Sequence, residues 1–112
     1  MMKMIVAIVQ DEDAGRLVSA LMDKGFGVTK LATTGGFLRA GNSTLISGVE
    51  DERLDEALAV IEKICRSREQ ITASTTPMGG SAAGGVYVPY PVRVTVGGAT
   101  VFVLEVAQFL KV

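Results

Sequence analysis

Forty residues after Val9-Gln10-Asp11-Glu12 the chain writes Val49-Glu50-Asp51-Glu52. At the same offset Leu54, Ala57, Leu58 and Ile61 take the places of Ala14, Leu17, Val18 and Leu21, and Leu45 and Ile46 those of Ile5 and Val6. A doubled unit this short leaves few foldings open. Met4 to Val9 is a β-branched, nearly continuous apolar run, the pattern of a central strand covered on both faces. Ala14, Leu17, Val18, Leu21 and Met22 then line one face of a helix, with Asp11 as its expected cap and Gly25 as its left-handed stop. Phe26 to Ala32 and Thr44 to Val49 read as further strands, and a second helix is expected from about Asp51 to Arg66. Ile71 to Thr75 is the candidate strand closing the second unit. Two copies of β-α-β predict an α+β, ferredoxin-like split βαβ sandwich, an antiparallel sheet with two helices on one face.

Beyond the repeat, Thr76 to Gly85 is small, polar and glycine-rich, and with the residues up to Pro89 it predicts a long loop. Val92, Val94 and Val96 alternate with Arg93 and Thr95. Gly97-Gly98 then predicts a turn into Ala99 to Val106, a terminal hairpin that supplies one strand more than the fold requires. The 112 residues form a single expected domain, residues 1–112.

Composition removes whole classes of function. The chain has no histidine, which excludes Ser-His, Cys-His and His-ligand metal chemistry, and its one cysteine cannot form an internal disulfide. A formal charge of −1 offers no broad basic field for nucleic acid or anionic membrane. No apolar run reaches the roughly 18 residues of a membrane span. The apolar start stops at Gln10 and meets Asp11-Glu12-Asp13 without a cleavage-like segment, so a first buried strand and a cytoplasmic protein are expected. Cys65, near the apolar face of the second helix, reads as a buried small hydrophobe rather than a nucleophile. The two acidic clusters read as helix starts rather than paired catalytic carboxylates. No glycine-rich phosphate loop follows the first strand. Catalysis is not expected.

The segment Thr29 to Asn42 carries the chemistry. Paired glycines, Gly35-Gly36, end a strand, and their N–H groups can meet an anion closely. Thr29, Thr33, Thr34 and Asn42 add neutral donors, and Lys30 and Arg39 add charge. Phe37, beside Leu38 among polar neighbours, is either a core plug or a platform for a planar ligand. Together these elements suit a ligand with phosphates and a flat base, although the spacing fits no diagnostic nucleotide fingerprint.

Four blocks make a resemblance specific: Ala7 to Asp11, Thr29 to Asn42, Thr76 to Gly80, and Val96 to Val103. They resemble the PII-like cyclic di-AMP receptor family from Met2 to about Val106. The resemblance implies a homotrimer with one cyclic di-AMP in each cleft between neighbours, a non-enzymatic second-messenger receptor with cyclic di-AMP as ligand, no cofactor or metal, and an unknown downstream protein as partner. It implies that Thr29 and Asn42 hydrogen-bond the ligand and that Gly36, Phe37 and Leu38 cover an adenine. It further implies that Gly48 lies at a contact position, that Phe102 packs against the ligand, and that the loops at about 33–42 and 76–89 are flexible. Gly27 stands where members often carry an arginine, so one charge-assisted contact is missing. Two alternatives from the same fold are a regulator binding another small ligand, such as ATP or an amino acid, and an acylphosphatase-like hydrolase using Arg39 and Asn42.

Overall fold

In the computed structural model the described residues are 1–31, 41–78 and 86–112, with side chains described over 1–31, 41–71 and 91–112. The elements run β1 (Met2–Gln10), α1 (Asp11–Asp23), β2 (Thr29–Leu31), β3 (Asn42–Glu50), a 3-10 turn (Asp51–Arg53), α2 (Leu54–Cys65), β4 (Arg68–Met78), β5 (Val86–Val96) and β6 (Ala99–Val106). Strands β2-β3-β1-β6 form one antiparallel sheet in that spatial order. With β6 as the fourth strand of the doubled unit, this is the ferredoxin-like arrangement that the repeat predicts.

The helices follow from their apolar faces. Helix α1 buries Ala14, Leu17 and Leu21, and α2 buries Ala57, Val60, Ile61 and Cys65. Both pack on one side of the sheet against Ile5, Ala7, Val9, Leu45 and Val49. Gly25 ends the first helix with φ +86°, the left-handed conformation expected of it. Phe26 is buried behind that turn, and the Arg53 guanidinium stands 4.1 Å from its ring centre.

Three expectations are corrected. Asp11 is not the cap of α1: Gln10 occupies that position without a side-chain cap bond, and the Asp11 carboxylate instead accepts the Ser43 hydroxyl. Ile71 to Thr75 does not close the second unit. It lies within β4, which pairs with β5 over eleven residue pairs, from Arg68↔Val96 to Met78↔Val86, as a separate two-stranded ribbon. The Gly97-Gly98 turn accordingly joins two sheets rather than two paired strands: β5 leaves it for β4 and β6 for β1. Positive φ at Gly97 (+84°) and Gly98 (+89°) would suit a hairpin equally well; what parts the strands is that the Gly97 N–H donates to Gln10 Oε1 and the Gly98 N–H to the Cys65 carbonyl. Backbone pairing includes residues 76–78 and 86–89 of the expected second loop, and 79–85 lie outside the described residues.

The ribbon gives the molecule its shape. Its extents are 66 × 26 × 19 Å and its Cα radius of gyration is 19.4 Å. A compact chain of this length has a radius of gyration near 13 Å.

Candidate functional site

The alternation of a strand assigns each side chain to a face, and directly opposed residues in an antiparallel ladder share that face. On β1, Ile5, Ala7 and Val9 are buried under the helices, while Met4, Val6 and Ile8 on the other face are half-buried. The registers carry this second face across the sheet. Thr29 opposes Ile46, Ile46 opposes Val6, and Val6 opposes Phe102, one continuous row. One step along, Gly48, Met4 and Leu104 form a second row, and Gln10 opposes Asn42 at the end. Thr29, Asn42, Gly48 and Phe102 therefore all stand on the face that the helices leave uncovered. Gly36, Phe37 and Leu38 lie outside the described residues.

Within that face the four residues are spread out. Thr29 and Phe102 belong to the two edge strands, three strand spacings or about 14 Å apart. Phe102 is 44% exposed, as is Leu104. Gly48 is exposed, and a β-carbon built there meets only the Met2 sulfur, at 3.6 Å. The glycine is thus not demanded by packing.

At the end of the face where β1 finishes and β3 and β6 begin, a cleft of about 350 Å³ is lined by Ile8, Gln10, Asn42, Gly97, Gly98 and Thr100, among others. It is mostly polar, because strand ends and two glycines expose backbone groups there. The Gly97 N–H donates to Gln10 Oε1 at 2.8 Å, and the Gly98 N–H donates to the Cys65 carbonyl. Sequence reasoning missed Gln10 as a wall of this cleft. Its place in the strand-to-helix block Ala7 to Asp11 was a signal, but its partner is 87 residues away.

Behind the cleft sits a buried charge. Asp13 has no exposed surface, and its carboxylate accepts from Arg68 Nη2 at 2.8 Å, Arg68 Nη1 at 3.4 Å and Arg16 Nη2 at 2.6 Å. The hydrogen bonds from Arg68 hold the carboxyl below the usual carboxylate range, with those from Arg16 adding to the effect against the cost of burial. The pair fastens the first residue of β4 to the start of α1. Burial pushes the Cys65 thiol up to about 11, so it remains protonated at neutral pH, as befits the buried hydrophobe expected there. Among the described residues, no group of acidic or cysteine side chains is arranged to hold a metal ion.

Comparison with known proteins bears on the chain as a whole. The chain matches the family described as cyclic-di-AMP receptor over residues 2–112. A crystal structure of a functionally unknown protein from Pediococcus pentosaceus ATCC 25745 is similar with a TM-score of 0.78 and 42% identity, covering 99% of this chain and 97% of that one. A crystal structure of Arabidopsis thaliana PII bound to citrate is similar with a TM-score of 0.61 and 19% identity, covering 99% of this chain and 80% of that one. The second likeness is one of fold. It supports the PII-like architecture that the doubled β-α-β unit and the sheet order describe. The extent of the family match, together with that architecture, makes this chain a member of the cyclic-di-AMP receptor family.

Proposed function

We propose that the protein is a cytoplasmic, non-enzymatic receptor that binds cyclic di-AMP at the seams of a homotrimer and signals through ligand-dependent ordering of its loops. The observation that carries the reading is the gathering of Thr29, Asn42, Gly48 and Phe102 on one uncovered sheet face of a cyclic-di-AMP receptor family member. Two phosphodiesters are met there by neutral donors, Thr29 and Asn42, at lower desolvation cost than by several buried cations. Phe102 offers an aromatic face to an adenine, and Gly48, two strands away, leaves that part of the face open. The family resemblance adds Gly36, Phe37 and Leu38, which lie outside the described residues, as the cover for an adenine.

The seam supplies what one copy lacks. A row some 14 Å long is wide for a single base to touch at both ends, which fits a seat shared between neighbouring copies. The uncovered face is also largely apolar, with Met4, Val6, Ile8 and Ile46 half-buried and Phe102 and Leu104 exposed. A sheet face of this kind is stabilised by a second layer.

Titration calorimetry with cyclic di-AMP, run beside cyclic di-GMP and ATP, tests the reading. Tight binding of cyclic di-AMP alone, with one ligand per protomer, is expected. Preference for ATP would move the protein to the PII-type regulators, and silence toward all three would remove the proposal.

A further inference from the structure

We infer that Gln10 is a positioning residue that couples the cleft to the β4–β5 ribbon: its side chain ties the ribbon's root to the sheet beside Asn42, so an occupant of the cleft stiffens the ribbon through it. The inference rests on the reading of that face as the dinucleotide's seat.

Three ties hold the root. Arg68, the first residue of β4, is held by the buried Asp13. Gly98 donates to the Cys65 carbonyl, and Gly97 donates to Gln10 Oε1. The root has little slack, because a β-carbon at Gly97 falls 2.5 Å from Arg68 Nη1 and 2.6 Å from the Arg66 carbonyl. Of the three, the Gln10 tie is made by a side chain that lines the cleft with Asn42, its direct partner across the ladder. A carboxamide carries a donor as well as an acceptor, so one group can hold Gly97 and meet a phosphate oxygen.

While the cleft is open, water competes for Oε1 and for the Gly97 N–H. An occupant displaces that water, and the bond strengthens in the drier surroundings. Linkage makes the effect reciprocal: whatever factor the ligand adds to the tie, the tie adds to the affinity.

Amide hydrogen exchange of the ribbon, with and without saturating cyclic di-AMP, tests this in the wild type, Gln10→Leu and Gln10→Glu, with affinities from calorimetry. In the wild type, ligand should slow exchange at Gly97 and along the adjoining ribbon by about five- to 150-fold, the span of ordinary coupling. Gln10→Leu should abolish the slowing and lower the affinity by a similar factor. Gln10→Glu keeps an acceptor for Gly97 and should retain the slowing at saturation. If Gln10→Leu folds poorly, Gln10→Asn, which withdraws the acceptor by one methylene, replaces it. The inference is overturned if wild type binds without slowing the ribbon, if Gln10→Leu still slows it, or if Gln10→Glu loses the slowing as Gln10→Leu does. A wild type that binds no cyclic di-AMP defeats the underlying functional reading instead, and calorimetry reports that separately.

Discussion

A carboxylate without exposed surface has to be paired, and Asp13 is paired by two arginines. Its folded pKa lies below the ordinary 3.8, so the pair's contribution is complete above that value and is lost as pH falls through the lower folded one. Arg68 also stands 3.8 Å from Glu12, so the same guanidinium faces two carboxylates at the start of α1. Ribbon-root amides should therefore lose exchange protection in acid below about pH 4, and Asp13→Asn should flatten that dependence while lowering the melting temperature at neutral pH. Gly48 offers the opposite kind of test, one that spares the fold. Since its missing side chain would meet only the Met2 sulfur, Gly48→Ala should melt like the wild type and bind cyclic di-AMP more weakly in calorimetry. For the aromatic positions, Phe102→Ala and Phe37→Ala should each weaken binding by about five- to 150-fold, the equivalent of about 1–3 kcal/mol for a stacked base. Unchanged affinity in either would make that ring a packing group.

At the scale of elements, the helix faces carry the stability. Leu17 has no exposed surface between α1 and the sheet, so Leu17→Ala should cost about 2–5 kcal/mol in denaturant unfolding. This part of the fold was legible because periodicity records burial directly: Ala14, Leu17 and Leu21 on α1, Ala57 and Ile61 on α2, and the alternating β1. Strand pairing was less legible. Ile71 to Thr75 has the composition of a strand, but nothing local says whether its partner is the main sheet or β5. Val92, Val94 and Val96 before Gly97-Gly98 write a hairpin in every local respect. The positive φ of both glycines was readable, whereas their use to change sheets rests on contacts with Arg66, Cys65 and Gln10, far apart in sequence. The site divides in the same way. Thr29 and Asn42 entered as neutral donors near the paired glycines, Gly48 and Phe102 through motif resemblance, and only strand register puts the four on one face. Gln10 had only its place in the block Ala7 to Asp11 to mark it, and its role emerged from a partner 87 residues away.

For the whole molecule, β1 holds the most telling mismatch. Its run Met4 to Val9 reads as a strand covered on both sides, yet the helices bury only Ile5, Ala7 and Val9. The other half of that apolar pattern fits a second layer, as the proposed trimer would supply. Sedimentation should accordingly give a mass about three times the chain's 11.8 kDa, and Val6→Glu, in the middle of the uncovered face, should shift it toward the protomer while leaving helical content intact. The ribbon adds a mechanical consequence. Eleven paired residues reach about 37 Å from a root fixed by a few polar contacts. A tilt of about ten degrees at that root would carry the far end through about 6 Å, more than a strand spacing. On the proposed coupling through Gln10, the projecting strands would act as a pointer, turning an ångström-scale adjustment at the root into a displacement of several ångströms at the tip.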